Sequence, residues 1–376
     1  MKKRLLIVSI ILIAAFAAYL SYSTIDSKAT LATAAKKVYS ATVYIAGMGG
    51  HFAAADITID PNDTGEPIKI NKLDRIVIGD KKTHPTHDPR IDNTDRNILF
   101  WSTYVLDPNG KQHVGKSDLR TGEVIKDVAM DPDPRSPAKK PPVYCGSGQS
   151  KEYFMPVFMG SEGYVDIFDK KTLEHKKRMY ISDIGFKPGT YQFVHGTNSN
   201  DGKKFLLTIQ EMKDGKSTGK IDFVLVDLPA LEKGKWKVIA KASHTGEPGK
   251  TLTFRQYFTK DDRYIFQSAA DRIWVLDASN LKLVDEKMVD GQVHDMMPTP
   301  DGKYGILTIR QTTEAYDVEG KPIAGKTITD GMLQLYDFDA KKIVGKQVSV
   351  CVACHKDMGI GDRSAVLCGI DGNFKM

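Results

Sequence analysis

The chain has 376 residues, of which 41% are hydrophobic and 9% aromatic, and this is enough apolar material for a substantial core. Its 53 basic and 47 acidic residues are spread along the chain and leave a formal net charge of +6. The composition excludes a disordered protein, and the charges do not form the concentrated basic patch of a nucleic-acid-binding protein.

The N-terminus predicts export from the cytoplasm. A basic "MKKR" precedes the apolar run "LLIVSIILIAAFAAYL", and "DSKAT" offers a cleavage point after Ala29. The run is shorter than the roughly 20 apolar residues of a membrane-spanning helix. We therefore interpret residues 1–29 as a signal peptide, with an uncleaved membrane anchor as the alternative, and residues 30–40 as a short lead-in.

The mature domain, residues 41–376, is accordingly expected outside the cytoplasm, with no stable membrane span once the signal is removed. The predicted compartment is the periplasm or its equivalent, which includes the anammoxosome lumen in an organism that has one. Haem of the c type is attached in such compartments, and disulfides form there.

A short apolar strand ending in Asp recurs along the chain and indicates an internal repeat. The residues concerned are Asp56, Asp118, Asp169, Asp227, Asp277 and Asp337, at intervals of 62, 51, 58, 50 and 60 residues. Polar turns such as "NDGKK" and "PDGKY" lead into further apolar strands, which is the signal for antiparallel hairpins. Repeats of four short antiparallel strands predict an all-β fold, the β-propeller.

The two ends of the sequence predict how the ring closes. "SAVLCGIDGNF" at 364–374 is typical of a strand that opens a blade, and the chain stops before the rest of that blade. "ATVYIAGMGGHFAAADITI" at 41–59 can supply the missing strands. We therefore expect a seven-bladed propeller closed by its N- and C-terminal strands, with "PRSPAKKPP" at 134–142 as a loop within the ring.

The segment "SVCVACHKDMG" contains a C-x-x-C-H motif, which we expect to form a loop at residues 351–355 in the closing blade. This spacing predicts covalent haem c, with thioether bonds to Cys351 and Cys354 and with His355 as the proximal iron ligand. A disulfide or a zinc site with two further ligands would use the same cysteines. Only 21 residues follow His355, so the propeller face itself would have to cover the haem. Cys145 and Cys368 remain as a disulfide or as two buried thiols.

Aligning the repeats by their turn residues places one polar or sulfur-containing side chain before each innermost strand. These side chains are Cys145, His195, Arg255, His294 and His355. Because innermost strands start around one mouth of a propeller channel, we expect a funnel rimmed by these residues. His51 and His87 are expected near it.

Several roles at this funnel stay open. The distal haem ligand could be Met358, Met296, Met297, His294 or His195, none of which the sequence favours. Arg255 and His294 are candidate anion and proton partners if the chain is itself a catalyst. The segment "THPTHD" at 83–88 predicts either the start of a metal site or a polar loop with a proline turn.

The segments "VHDMMPTPDGKYGILTI" and "GMLQLYDFDAKKIVGKQV" resemble the YVTN-type seven-bladed propellers, and weaker repeats extend the resemblance over about residues 41–374. That family includes the propeller of cytochrome-type nitrite reductase. The resemblance implies an exported subunit of a nitrogen-cycle respiratory redox complex, which works in electron transfer beside multihaem or other redox subunits. Hydrazine synthase, which combines a propeller chain with multihaem chains, is one complex of this kind, and the resemblance makes its propeller subunit a candidate for this chain.

Two other functions remain open. The chain could be a cofactor-free scaffold or binding propeller, or an independent haem oxidoreductase acting on a small anion such as nitrite. No serine nucleophile elbow, phosphate-binding glycine loop or zinc-protease motif is present in the sequence, so hydrolysis is not expected.

Overall fold

The computed structural model describes residues 35–136, 143–317, 319, 321–357 and 369–375, with the side chains of 355–357 excepted. The chain divides into Met1–Lys37 and Val38–Met376, and the secondary structure described here belongs to the second of these units. The predicted signal peptide lies outside the described residues. Within them, no helix combines the length and the apolar character needed to cross a membrane.

Twenty-three β-strands make up nearly all of the secondary structure in the described part of the chain. The first eleven are β1 Tyr39–Ala46, β2 His51–Ile59, β3 Ile68–Val77, β4 Thr86–Ile91, β5 Ile98–Thr103, β6 Gln112–Asp118, β7 Val124–Met130, β8 Tyr144–Gln149, β9 Tyr153–Phe158, β10 Tyr164–Asp169 and β11 His175–Tyr180. The next eight are β12 Tyr191–Asn198, β13 Lys204–Lys213, β14 Lys216–Asp227, β15 Val238–Thr245, β16 Gln256–Phe258, β17 Tyr264–Ser268, β18 Ala270–Asp277 and β19 Leu283–Pro298. The last four are β20 Tyr304–Tyr316, β21 Pro322–Asp337, β22 Lys342–Ser349 and β23 Ile370–Phe374. Three short helices complete the set: the 3-10 helix Ile181–Ile184 and the α-helices Leu228–Glu232 and Cys351–Asp357.

The strands form six antiparallel units of four. The first unit has the order β23-β1-β2-β3, and the second, third and fourth are β4 to β7, β8 to β11 and β12 to β15. The fifth and sixth units form one seven-stranded sheet because they share β19. The N-terminal half of this long strand pairs with β18 and its C-terminal half pairs with β20, so β19 is the outer strand of one unit and the inner strand of the next.

Apolar side chains are buried between consecutive units. Phe52 of the first unit packs with Trp101 of the second, and Phe205 of the fourth packs with Val157 of the third. Corresponding clusters join the second unit to the third, the fourth to the fifth and the fifth to the sixth. A further cluster contains Val43 of the first unit and Leu335 of the sixth. The arrangement is therefore propeller-like, with the last unit packed against the first.

The recurring Asp residues have a direct physical role in the turns. Asp118, Asp169, Asp227, Asp277 and Asp337 each end the third strand of a unit. Their carboxylates accept hydrogen bonds from backbone amides two or three residues later, at 2.8 to 2.9 Å. Such turns reverse the chain before the outer strand begins. The repeat found in the sequence is thus a repeat of turn chemistry, except at Asp56, which lies inside β2 and does not end the strand.

Seven blades are not confirmed, because only six four-stranded units are present among the described residues. The C-terminal strand does pair with the N-terminal region, as expected: Val43 of β1 lies opposite Gly372 of β23. However, β1, β2 and β23 are parts of one unit, which also contains Asp56. Counting a closing blade in addition to the six Asp-bearing repeats therefore counts that unit twice.

Candidate functional site

The starts of the inner strands enclose a small polar pocket. Its volume is about 160 Å³, and a cavity of roughly this size admits a ligand as large as benzene. The lining residues are His87, Tyr104, Cys145, Phe193, His195, Leu252, Phe254, Gln292, His294 and Arg310. The structure thus brings together three predicted funnel residues, Cys145, His195 and His294, and places His87 with them.

The three imidazoles of the pocket differ in their partners. The Nδ1 atom of His87 lies 2.6 Å from the Cys145 sulfur, and its ring stacks on Tyr104 at 4.1 Å. The Nε2 atom of His294 lies 3.0 Å from an Arg310 guanidinium nitrogen. His195 is fully buried, and neither of its ring nitrogens has a hydrogen-bond partner within the described structure. An unsatisfied buried imidazole is costly, so His195 is a candidate ligand-binding group.

Burial keeps these imidazoles neutral. It lowers the pKa of His87, His195 and His294 well below the usual histidine value, and the nearby Arg255 guanidinium lowers all three further. A neutral imidazole offers one nitrogen lone pair and one N–H group. The pocket can therefore accept and donate hydrogen bonds without contributing histidine charge.

Arg255 is held in a buried ionic network and does not line the pocket. Its Nη1 atom lies 3.1 Å from a carboxylate oxygen of Asp88 and 3.4 Å from one of Asp295, and all three side chains are fully buried. Its Nη2 atom donates to the backbone carbonyl oxygens of His87 and Cys145. These contacts tie the starts of four inner strands together, and they make Arg255 a structural cation instead of an exposed anion-binding group.

The cysteines of the C-x-x-C-H motif lie on a helix, where a loop was expected. Asp330 stabilises the start of this helix by accepting from the Val352 amide at 2.9 Å, and the Cys354 amide donates to Val350 at 2.8 Å. The segment has no glycine or proline to interrupt such a turn. Cys351 is therefore one helical turn from Cys354, with both side chains on one face.

Both cysteines are buried in the cluster between the sixth and first units, at 5% and 2% exposure. The Nε2 atom of His51 lies 3.7 Å from the Cys354 sulfur, and burial lowers the pKa of His51. The two sulfurs lie on one helical face with the spacing that thioether attachment of haem c uses, and the neighbouring imidazole, His51, is not the histidine of the motif. The side chain of His355 lies outside the described part of the structure.

The candidate distal ligands fall in different places. Met296 is buried in the core between the fifth and sixth units, and Met297 is buried between the sixth and first. Neither lines the polar pocket, whereas His195 and His294 do. Met358 lies outside the described residues, as does Cys368.

Six lining residues were not found from the sequence: Tyr104, Phe193, Leu252, Phe254, Gln292 and Arg310. Arg310 lies in the middle of β20 and Tyr104 directly follows β5, neither of which is an innermost strand, and Phe254 precedes the funnel residue Arg255 by one position. Phe254 stacks on His294 at 4.0 Å, and the Arg310 guanidinium lies 5.7 Å from the Phe254 ring centroid. A signal was available only for Arg310, a charged residue directly after the apolar run "GILTI".

Comparisons with known proteins give similarity to solved structures alone. No protein-family model matches the chain, and no curated protein matches it. Among solved structures, hydrazine synthase of Kuenenia stuttgartiensis is similar with a TM-score of 0.45 and 13% sequence identity, over 77% of this chain and 74% of that one.

Proposed function

We propose that this chain is the propeller-like subunit of an exported redox complex and carries one c-type haem. In this proposal the haem is bound through thioether bonds to Cys351 and Cys354, with His355 as the proximal iron ligand. The observation that supports it is the placement of both sulfurs on one face of a short helix, next to His51. The basic and apolar N-terminal segment supports it further, because c-type haem is attached after export.

The protein's own residues would hold the attachment helix in a fixed position. Asp330 accepts hydrogen bonds from the Val352 amide and from the Ser349 hydroxyl, and Tyr316 donates to the Val352 carbonyl at 3.2 Å. Since electron transfer needs little change in geometry, such a rigid mount suits a relay. A bound haem would supply one-electron chemistry, and partner subunits with haem or another redox centre would exchange electrons with it.

The first experiment is a visible spectrum of the purified exported protein, oxidised and dithionite-reduced, with an intact mass from the same sample. We expect c-type bands and the added mass of one haem. Cys351→Ser and Cys354→Ser should abolish double thioether attachment, whereas the matched control Cys145→Ser, at another buried cysteine, should retain it. A colourless wild-type protein at the mass of the bare chain would refute the haem proposal.

The polar pocket supports a second candidate function, the binding of a small polar ligand by a protein without a cofactor. The supporting observation is His195, whose two buried nitrogens have no protein partner in the described structure. This candidate predicts a colourless protein whose ligand affinity falls in His195→Phe. The spectrum therefore separates the two functions, because only the first requires absorption in the visible range.

A further inference from the structure

A cluster of two histidines and one aspartate lies in the second unit, apart from the polar pocket. His84 is in the connection before β4, His113 is on β6, and Asp127 is on the neighbouring strand β7. The Nε2 atom of His84 lies 3.0 Å from one Asp127 carboxylate oxygen, and the Nδ1 atom of His113 lies 3.0 Å from both. Taking one potential ligand atom from each residue, all three atoms lie within 4.8 Å of one another.

The His84 ring is fixed in place by its surroundings. It lies directly over Gly79, where a Cβ atom would collide with the ring. It also makes an edge contact with Trp101, with the ring centroids 5.7 Å apart. Asp80 holds the preceding turn by accepting from the Lys82 amide at 2.6 Å and from a further backbone amide at 3.0 Å. This connection is therefore shaped to present His84 to β6 and β7.

The far nitrogen of each histidine faces a second polar group. Nδ1 of His84 is 2.9 Å from the Thr83 hydroxyl, and Nε2 of His113 is 3.5 Å from a carboxylate oxygen of Asp107. Asp107 is itself held by the backbone amide of Lys111 at 2.7 Å. Metal-ligating histidines commonly have such a partner on the distant nitrogen, because it fixes the tautomer and the ring orientation.

From this geometry we infer that His84, His113 and Asp127 bind a divalent transition-metal ion of the zinc class. Ligand atoms about 2.0 to 2.2 Å from a tetrahedral zinc ion are separated from one another by about 3.3 Å. The observed separations of 3.0 Å from the aspartate to each histidine are close to this value. The Asp127 side chain is 31% exposed, which leaves the fourth position open to water.

A metal ion at this site would link two parts of the chain and would stabilise the position of a pocket residue. It joins the connection between the first and second units to β6 and β7 of the second. His84 is followed by Pro85 and Thr86 and then by His87, which lines the pocket. A metal ion at His84 would therefore limit the freedom of the segment that positions His87.

The test begins by removing bound metal from the full chain with a chelator. The chain is then titrated with Zn²⁺ in a calorimeter, and a parallel titration with Co²⁺ is monitored by visible absorption. Other cysteines and histidines can bind zinc, so the result that matters is the change in stoichiometry between variants. We expect His84→Ala, in the connection before β4, and Asp127→Asn each to bind one zinc ion fewer than the wild type. Asp107→Asn should keep this ion but bind it about 10- to 100-fold more weakly.

The matched control is His175→Ala. His175 also pairs with an aspartate, at 2.8 Å from Asp166, but it has no second histidine beside it among the described residues. This variant should bind the same number of ions as the wild type. The inference is overturned if His84→Ala binds as many zinc ions as the wild type with unchanged affinity, or if the wild type binds none. Wild-type thermal stability should also rise with added Zn²⁺, and that rise should be reduced in His84→Ala.

Discussion

Replacement of Arg255 by methionine tests whether this residue is structural or catalytic. Methionine keeps much of the apolar volume and removes the charge. The substitution leaves Asp88 and Asp295 fully buried without their shared cation, and it removes the donor from two backbone carbonyl groups. Asp88 keeps a second cation, because the Arg90 Nε atom is 3.3 Å from it. Asp295 keeps two backbone donors, the amides of Met296 and Ile370, at 2.8 and 3.0 Å.

Breaking a buried ion pair by removal of one partner costs about 3–5 kcal/mol. We expect Arg255→Met to fall in this range at pH 7. Burial raises the pKa of Asp295 to about 6 even with Arg255 present. Without the guanidinium, that pKa should rise further, so Asp295 should be protonated at pH 5 and the cost of the substitution should be smaller there than at pH 7.

Equilibrium unfolding in urea, followed by tryptophan fluorescence, measures this cost. Adding Asp295→Asn to Arg255→Met removes the unpaired charge, so the double variant should be more stable than the sum of the single effects predicts. A loss below about 1 kcal/mol for Arg255→Met, or strict additivity in the cycle, would refute the buried-network interpretation. Retained stability with lost turnover would instead favour a catalytic Arg255.

Two further predictions concern buried charges. Burial raises the pKa of the Asp295 carboxyl from 3.8 to about 6 in the folded chain. Its stabilising contribution is therefore present below about pH 4 and is lost as the pH rises through 6. The difference in unfolding free energy between wild type and Asp295→Asn should change by up to about 3 kcal/mol between pH 4 and pH 7. Lys170→Met should lower the free energy of unfolding in urea by about 3–5 kcal/mol, because the buried Lys170 donates to Asp92 at 2.8 Å. The control Lys203→Met removes an exposed ion pair and should lower it by at most about 1 kcal/mol. Equal effects of the two substitutions would contradict this prediction.

The parts of the fold that depend on local chemistry could be predicted from the sequence. Asp169 and Asp277 mark strand ends because their carboxylates bind the amides of the next turn, an interaction within a few residues. The number of units could not be obtained in this way, because it depends on the pairing of β23 with β1, more than 300 residues apart in the chain. The change of partner within β19 is marked by the pair Asp290-Gly291, which resembles a turn signal although the strand continues through it, with Gly291 at a positive φ.

The candidate site, like the fold, could be predicted from the sequence only in part. His195 and His294 could be placed near inner-strand starts because they precede the turn aspartates Asp201 and Asp301 by similar distances, six and seven residues. The segment "THPTHD" could not be assigned as one unit, because its two histidines separate: His87 enters the pocket, near which it was expected, and His84 turns outward to β6 and β7. Only the register of those two strands brings Asp127 within reach of both His84 and His113.

The polar residues at this end of the inner strands form two groups: those of the ionic network around Arg255 and those that line the pocket. Arg255 neutralises buried carboxylates and binds the strands together, while its charge and the apolar surroundings keep the neighbouring imidazoles uncharged. A ligand in the pocket would consequently meet neutral hydrogen-bonding groups, with Arg310 as the cation of the lining. An anion would have to be held chiefly by Arg310. A neutral polar molecule could use His195, whose two nitrogens have no competing protein partner in the described structure.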